Sequence, residues 1–289
     1  MKIINTIGGL GNQMFSYAFA LSLKLKHKED VYVDISHFNH YNLHDGFQIN
    51  EIFNVKEINV ATKKEIKKLT RYVPHYALSR ILRKFLPSMS KEYIEKQDYV
   101  YDEKALSLKT DCYYEGYWQS PLYFDDIEHE IKKMFTFPEP IGGNKETEEL
   151  MSKVNSVSIH VRRGDYLNAK SFMGICELDY YEKAIKHIND EIQNPYFFIF
   201  SNDIKWCEEN LRQYLKTDKL MFISNNVGKE SYWDMYLMSC CNNMILANSS
   251  FSWWAAYLNK NKEAKVLAPK KWVNRDYETQ IHLDSWKKI

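Results

Sequence analysis

The stretch VSIHVRRGD, Val157–Asp165, decides the fold. An apolar run, Val157–Val161, ends abruptly in two arginines, a glycine and an aspartate. A strand buried in a parallel sheet reads this way where it leaves the core. Toward the C-terminus the pattern repeats. Tyr196–Phe200 runs into Ser201-Asn202-Asp203, Leu220–Ile223 into Ser224-Asn225-Asn226, and Met244–Ala247 into Asn248-Ser249-Ser250, with Lys265–Leu267 as a further apolar run. Helical patterns over Leu178–Ile192, Ile204–Tyr214, Lys229–Cys241 and Phe251–Asn259 alternate with these strands, which predicts a doubly wound sheet. Toward the N-terminus, PEPIGG (Pro138–Gly143) has linker composition. Ahead of it lies a second βαβ opening. Lys2–Ile7 and Val31–Ile35 read as strands, and Met14, Phe15, Ala18, Leu21 and Leu25 recur at helical spacing within Gln13–His27. The expected fold class is α/β, with two Rossmann-like domains over residues 1–140 and 144–289.

With 45% hydrophobic and 27% charged residues, the 289-residue chain is no disordered segment. Thirty-nine basic against 38 acidic residues leave a net charge of +1, which argues against a whole-molecule nucleic-acid binder. The charge is unevenly spread. Lys56–Lys91 holds ten basic residues and two acidic ones, Glu57 and Glu65. It reads either as a solvated helical face or as a patch meeting an anionic membrane. The opening MKIINTIGGL resembles no signal or transit peptide, and the five cysteines form no paired framework. A cytoplasmic setting is therefore expected, peripheral to the inner face of a membrane if the basic segment docks there. The uncharged run Met235–Asn259 is too rich in Asn and Ser for a membrane span.

Ligands of open α/β sheets bind outside the carboxyl ends of the strands, where the polar clusters fall. Adjacent Arg162 and Arg163 suit a multiply charged anion. Ser249 and Ser250 stand where a helix begins, as caps or as part of a phosphate site. Glycine is scarce, ten in all against the roughly 20 of ordinary usage, yet Gly8, Gly9 and Gly11 cluster before the first helix. This loop forms a second candidate cradle. It reads G-L-G-N-Q-M and lacks the third glycine of a dinucleotide fingerprint, although Asp34 ends the second strand as a ribose-binding residue would. His37, His40 and His44, with Asp34 and Asp45, match no compact metal-ligand spacing, so no metal site is expected.

IGGLGNQMFSYAFA (Ile7–Ala20), HVRRGDY (His160–Tyr166), FSND (Phe200–Asp203) and WDMYLMSCCNNMILANSSFSWWAAYL (Trp233–Leu258) together resemble the family-11 glycosyltransferases, the α-1,2-fucosyltransferases. The motifs follow the family's order over nearly the whole chain. The resemblance implies a GT-B fold of two facing Rossmann-like domains and a metal-independent, inverting transfer of fucose from GDP-β-L-fucose to a galactose hydroxyl, without a cofactor. Carried over motif by motif, it gives Arg162 the β-phosphate with Arg163 in support, and His160 and Asp234 the guanine. Ser249, Ser250 and Phe251 then line the phosphates, with Asp203 of FSND also on the donor side, and Gly9, Gly11 and Asn12 close from the other domain. Arg162 and Asp165 are the expected catalytic pair, with Asp165 either a base or a support for Arg162. Asp34, His37, His44 and Glu177 are the acceptor-side candidates. The implied partner is a galactose-terminated oligosaccharide or lipid-linked glycan. Two other readings remain open, an α-1,6-type linkage and a catalytically silent glycan- or nucleotide-binding protein.

Overall fold

The computed structural model describes residues 1–40 and 44–289. Its contacts divide the chain into two compact units, Met1–Phe137 and Pro138–Ile289.

The first unit is built on a five-stranded sheet: β1 (Lys2–Asn5), β2 (Val31–Asp34), β3 (Asn59–Val60), β4 (Glu92–Ile94) and β5 (Cys112–Glu115), in the order β3-β2-β1-β5-β4. Every pairing is parallel. The helix Leu10–His27 begins three residues before the apolar periodicity does. Gly9 caps it in extended conformation, and Gly11 lies inside its first turn. From Leu10 to Leu23 nearly every side chain is buried, so this helix is a core element rather than an amphipathic one. Phe19 stacks on Trp118 with ring centroids 4.4 Å apart and meets Tyr114 and Tyr123 edge-on. Such pairs add about 0.5–1.5 kcal/mol each beyond their buried area.

The second unit carries a six-stranded sheet, β6 (Asn155–Val161), β7 (Pro195–Ser201), β8 (Leu220–Ile223), β9 (Asn243–Ile245), β10 (Val266–Ala268) and β11 (Lys287–Lys288), ordered β11-β10-β9-β6-β7-β8. All its pairings are parallel. Strand β6 sits at the centre, in register with β7 from Asn155↔Pro195 to Val161↔Ser201. Its odd positions, Val157, Ile159 and Val161, pack with Tyr181, Ile185 and Ile188 of the helix Leu178–Glu191. By strand alternation, Ser158 and His160 point to the opposite face, where they are also buried.

Three elements differ from the sequence reading. Gly142 and Gly143, which read as a linker, start the helix Gly142–Lys153, and the glycine-rich turn lies in its first residues. The expected helix Ile204–Tyr214 breaks after Asn210 and resumes at Arg212–Leu215. The helix expected over Lys229–Cys241 runs from Tyr232 to Cys240 and is preceded by a 3₁₀ turn at Gly228–Ser231. All five cysteines are free thiols. None of the described helices is long and apolar enough to cross a membrane.

Candidate active site

The order of the second sheet creates a switch point. Connections from β6 run to β7 and β8 on one side, while β9, β10 and β11 lie on the other. The crevice of such a sheet opens between β6 and β9, at their carboxyl ends. Two of the motifs leave the sheet there, His160-Val-Arg-Arg-Gly-Asp165 from β6 and Asn248-Ser249-Ser250 after β9. Two contacts join them. The Tyr166 hydroxyl approaches the Asn248 carbonyl at 3.4 Å, and the His160 and Phe251 rings lie 5.8 Å apart.

Both arginines are held by carboxylates. Arg162 directs its Nε and its terminal amine to one oxygen of Asp165, at 3.0 and 2.8 Å. Its guanidinium also lies over the Tyr166 ring, 5.6 Å from the centroid. Arg163 pairs with Asp203 at 3.4 Å and packs on the Trp206 ring at 3.9 Å. Asp203 has a second task. Its other carboxylate oxygen accepts from Trp206 N and so caps the helix Ile204–Asn210, a contact worth about 1 kcal/mol. The guanidinium groups are thereby oriented before any anion arrives, which lowers the ordering cost of binding one.

The turn between the arginines and Asp165 depends on glycine. Gly164 has φ +43°, and a Cβ on it would stand 2.5 Å from the Asn202 amide nitrogen. Asn202 in turn accepts the Arg163 backbone N–H at 2.9 Å. Ser249 also has a definite part. Its hydroxyl accepts from Phe251 N at 3.3 Å and caps the helix Ser250–Tyr257, leaving the helix start turned toward the crevice side of the sheet.

His160 is buried, and its Nδ1 has no hydrogen-bond partner among the described residues. Burial, with the nearby Arg162 charge, pushes its imidazole down to about 3. It is therefore neutral at any physiological pH and can read a ligand edge without adding charge. Asp234, on the helix Tyr232–Cys240, is pushed up to about 7 by burial, against the Asn226 amide that donates to it at 2.8 Å. Asn226 is itself tied to Asn144 at 3.0 and 3.1 Å. A half-buried carboxyl that accepts from an amide can take further N–H donors. Glu177 is exposed and precedes the helix Leu178–Glu191 without capping it through its side chain.

In the first unit the corresponding switch point lies between β1 and β5. Only one glycine of the cluster after β1 requires its residue type for its backbone. Gly8 has φ +90°, and a Cβ on it would stand 2.5 Å from the Asn12 amide. Gly9 has an ordinary backbone, and a Cβ there would touch the His44 ring at 3.4 Å. Asn12 accepts from Gln119 at 2.7 Å, and Gln13 ties the Gly8 and Gly46 carbonyls to the Gln48 N–H. At the end of β5, Trp118 is held at φ +55°, and the Glu95 carboxylate accepts the Tyr117 and Trp118 N–H groups at 2.7 and 3.1 Å.

The acceptor-side candidates differ in their exposure. Asp34 is buried, with one oxygen on Ser36 N and the other on the Tyr113 hydroxyl, both at 2.8 Å. His37 is buried with Nε2 3.0 Å from the Val73 carbonyl, and burial pushes its imidazole down. His44 is exposed and adopts φ +62°. No group of three or more His, Cys, Asp or Glu among the described residues is arranged to hold a metal ion.

The motifs give no site role to Tyr166, Trp206, Asn202 or Asn226, yet each of these holds a residue to which they do. Asn202 and Asn226 lie in the polar clusters that follow two of the apolar strands. Tyr166 closes the HVRRGDY motif, and Trp206 falls three residues beyond Asp203, in the first turn of its helix.

An α/β fold with two parallel sheets is shared with solved fucosyltransferases of the GT-B type. Fucosyltransferase NodZ from Bradyrhizobium superposes with a TM-score of 0.52 at 12% identity, covering 88% of this chain and 92% of that one. A variant of Arabidopsis thaliana FUT1 in complex with GDP gives 0.52 at 13% identity, covering 95% and 72%. The chain belongs to glycosyl transferase family 11, whose model matches residues 1–289. Among curated relatives, an Escherichia coli alpha-1,2-colitosyltransferase is 33% identical over 93% of this chain and 91% of its own length. The Escherichia coli O-antigen biosynthesis glycosyltransferase WbnK is 32% identical over 96% and 97%. Mouse galactoside alpha-(1,2)-fucosyltransferase 2 is 30% identical over 50% of this chain and 43% of its own.

Proposed function

We propose that this glycosyltransferase moves L-fucose from GDP-β-L-fucose to the 2-hydroxyl of a terminal galactose, with inversion at the sugar carbon. The observation that carries the reading is the pair of carboxylate-anchored arginines at the β6 end, beside the capped helix start that follows β9. Two fixed cations and a helix N-terminus at one switch point suit a diphosphate.

In this reading Arg162 takes the β-phosphate. As the glycosidic bond to phosphate lengthens, negative charge accumulates on the departing GDP and positive charge on the sugar ring. A guanidinium already in place costs no reorganisation at that moment and lowers the barrier. Asp165 keeps Arg162 aimed, and Arg163 supports it. Asp234 and neutral His160 take the guanine edge, Asp234 by accepting its N–H groups. The acceptor hydroxyl must lose its proton to a base or to the departing phosphate; Asp34 and His37 are buried, whereas His44 and Glu177 are the exposed candidates.

The colitosyltransferase relative favours a second donor, since colitose is fucose without its 3-hydroxyl. Incubation with each GDP-sugar and lactose or N-acetyllactosamine, with the product linkage read by NMR, tests both. An α-1,2-linked fucosyl product supports the first reading. An enzyme that turns over only the dideoxy donor supports the second, and GDP binding without transfer to any acceptor overturns both.

A further inference from the structure

We propose that the helix Tyr76–Phe85 docks the first unit flat on an anionic lipid surface. The helix is amphipathic, and the side turned to the protein carries Ser79, Leu82 and Arg83. Arg83 pairs with Glu92 and with Glu115, and Ser79 and Leu82 line the same small inner cavity as Thr70, Val73 and Glu92. The apolar stripe is therefore turned outward. Leu78, Ile81 and Phe85, spaced three and four residues apart, are 48%, 53% and 79% exposed, and Leu86 and Met89 continue the exposed apolar surface past the helix end.

An outward apolar stripe of this size is unusual on a soluble protein and marks an interaction surface. Charge identifies the occupant. From Ile66 to Lys91 the chain contains no Asp or Glu, but it does contain Lys67, Lys68, Arg71, Arg80, Arg83, Lys84 and Lys91. Of these, Arg83 is spent on the carboxylates behind the helix. Exposed Arg80 and Lys84 share the helix with the stripe, and exposed Lys63 and Lys64 open the short helix Lys63–Ile66 before it. Apolar side chains entering the acyl boundary, with a basic fringe among acidic headgroups, is the arrangement of an interfacial helix. At ten residues the helix can lie in the interface but cannot span it. The charge of Lys56–Lys91, ambiguous in the sequence, thus gains an apolar anchor.

Flotation with phosphatidylcholine vesicles, with and without phosphatidylglycerol, tests the proposal. Wild type floats with the anionic vesicles at low salt and less at high salt. Leu78→Ser/Ile81→Ser/Phe85→Ser loses at least about tenfold in partitioning, because three exposed apolar side chains no longer leave water. Its thermal unfolding is unchanged, since none of the three is buried. In Phe85→Trp, brominated lipid quenches the new fluorescence but leaves the wild-type emission unaltered. Equal flotation of wild type and triple variant, or no flotation of wild type, overturns the proposal. So does a wild-type dimer that the triple substitution converts to a monomer, which would assign the stripe to a second copy of the chain.

Discussion

Arg162 spends two of its donors on a single oxygen of Asp165, at 3.0 and 2.8 Å. The pair is a partly exposed one, so its value lies in aim more than in stability. Arg162→Ala is expected to lower transfer by about 10²–10³-fold, mostly in kcat, the cost of removing one preorganised donor to a developing anion. Asp165→Ala is expected to cost less, about 10- to 100-fold, because Arg162 remains but loses its aim. The pH–rate profile separates the roles. If Asp165 only orients Arg162, the variant keeps the wild-type acid limb; if it were the base, that limb would vanish.

Gly164→Ala should lose donor affinity and stability together. Its φ of +43° costs an L-residue about 1–2 kcal/mol, and the new methyl would stand 2.5 Å from the Asn202 amide that holds Arg163 N. Adding Asn202→Ala removes the clash but not the backbone strain or the lost hydrogen bond. Denaturant unfolding of both variants is expected to show only partial recovery in the double variant.

Asp234 gives a pH prediction with a definite sign. Burial pushes its carboxyl up to about 7, so between about pH 4 and pH 7 the folded chain keeps a proton that the unfolded chain has released. Its contribution to stability therefore falls as pH rises through that window and is most unfavourable above about pH 7. Asp234→Asn should raise Tm at about pH 8 and leave it unchanged near pH 4. Glu95, pushed up to about 8 by burial, adds a slope of the same sign to both proteins, so the difference between the two curves isolates Asp234. Guanine N–H groups need the ionised form, so GDP affinity should weaken on acidification below about pH 7, and Asp234→Asn should bind weakly and without that pH dependence.

The second unit was largely legible because its strands are uninterrupted apolar runs that stop at polar clusters, as at Val161-Arg162 and Ile223-Ser224. The first unit was legible only through β1 and β2. Strand β5, Cys112-Tyr-Tyr-Glu115, pairs with β1 across about 110 residues, and its tyrosines carry no strand alternation that a local pattern could reveal. The start of the helix at Leu10 was hidden because glycines, normally breakers, form its cap and first turn. Within the site, the motif arginines were plain and Asp165 was legible as a support for Arg162, whereas the supports of Arg163 and Gly164 were not. Trp206 reads locally as helix core and Asn202 as loop, and only folding brings them against Arg163 and Gly164.

Calorimetric titration with GDP, of wild type and of Arg162→Ala, tests most directly whether the β6–β9 switch point is the diphosphate site. Wild type is expected to bind one GDP per chain. Arg162→Ala is expected to bind at least about tenfold more weakly, the loss that follows when a charged hydrogen-bond partner is removed. No heat from wild type, or equal affinity in the two proteins, would contradict the account.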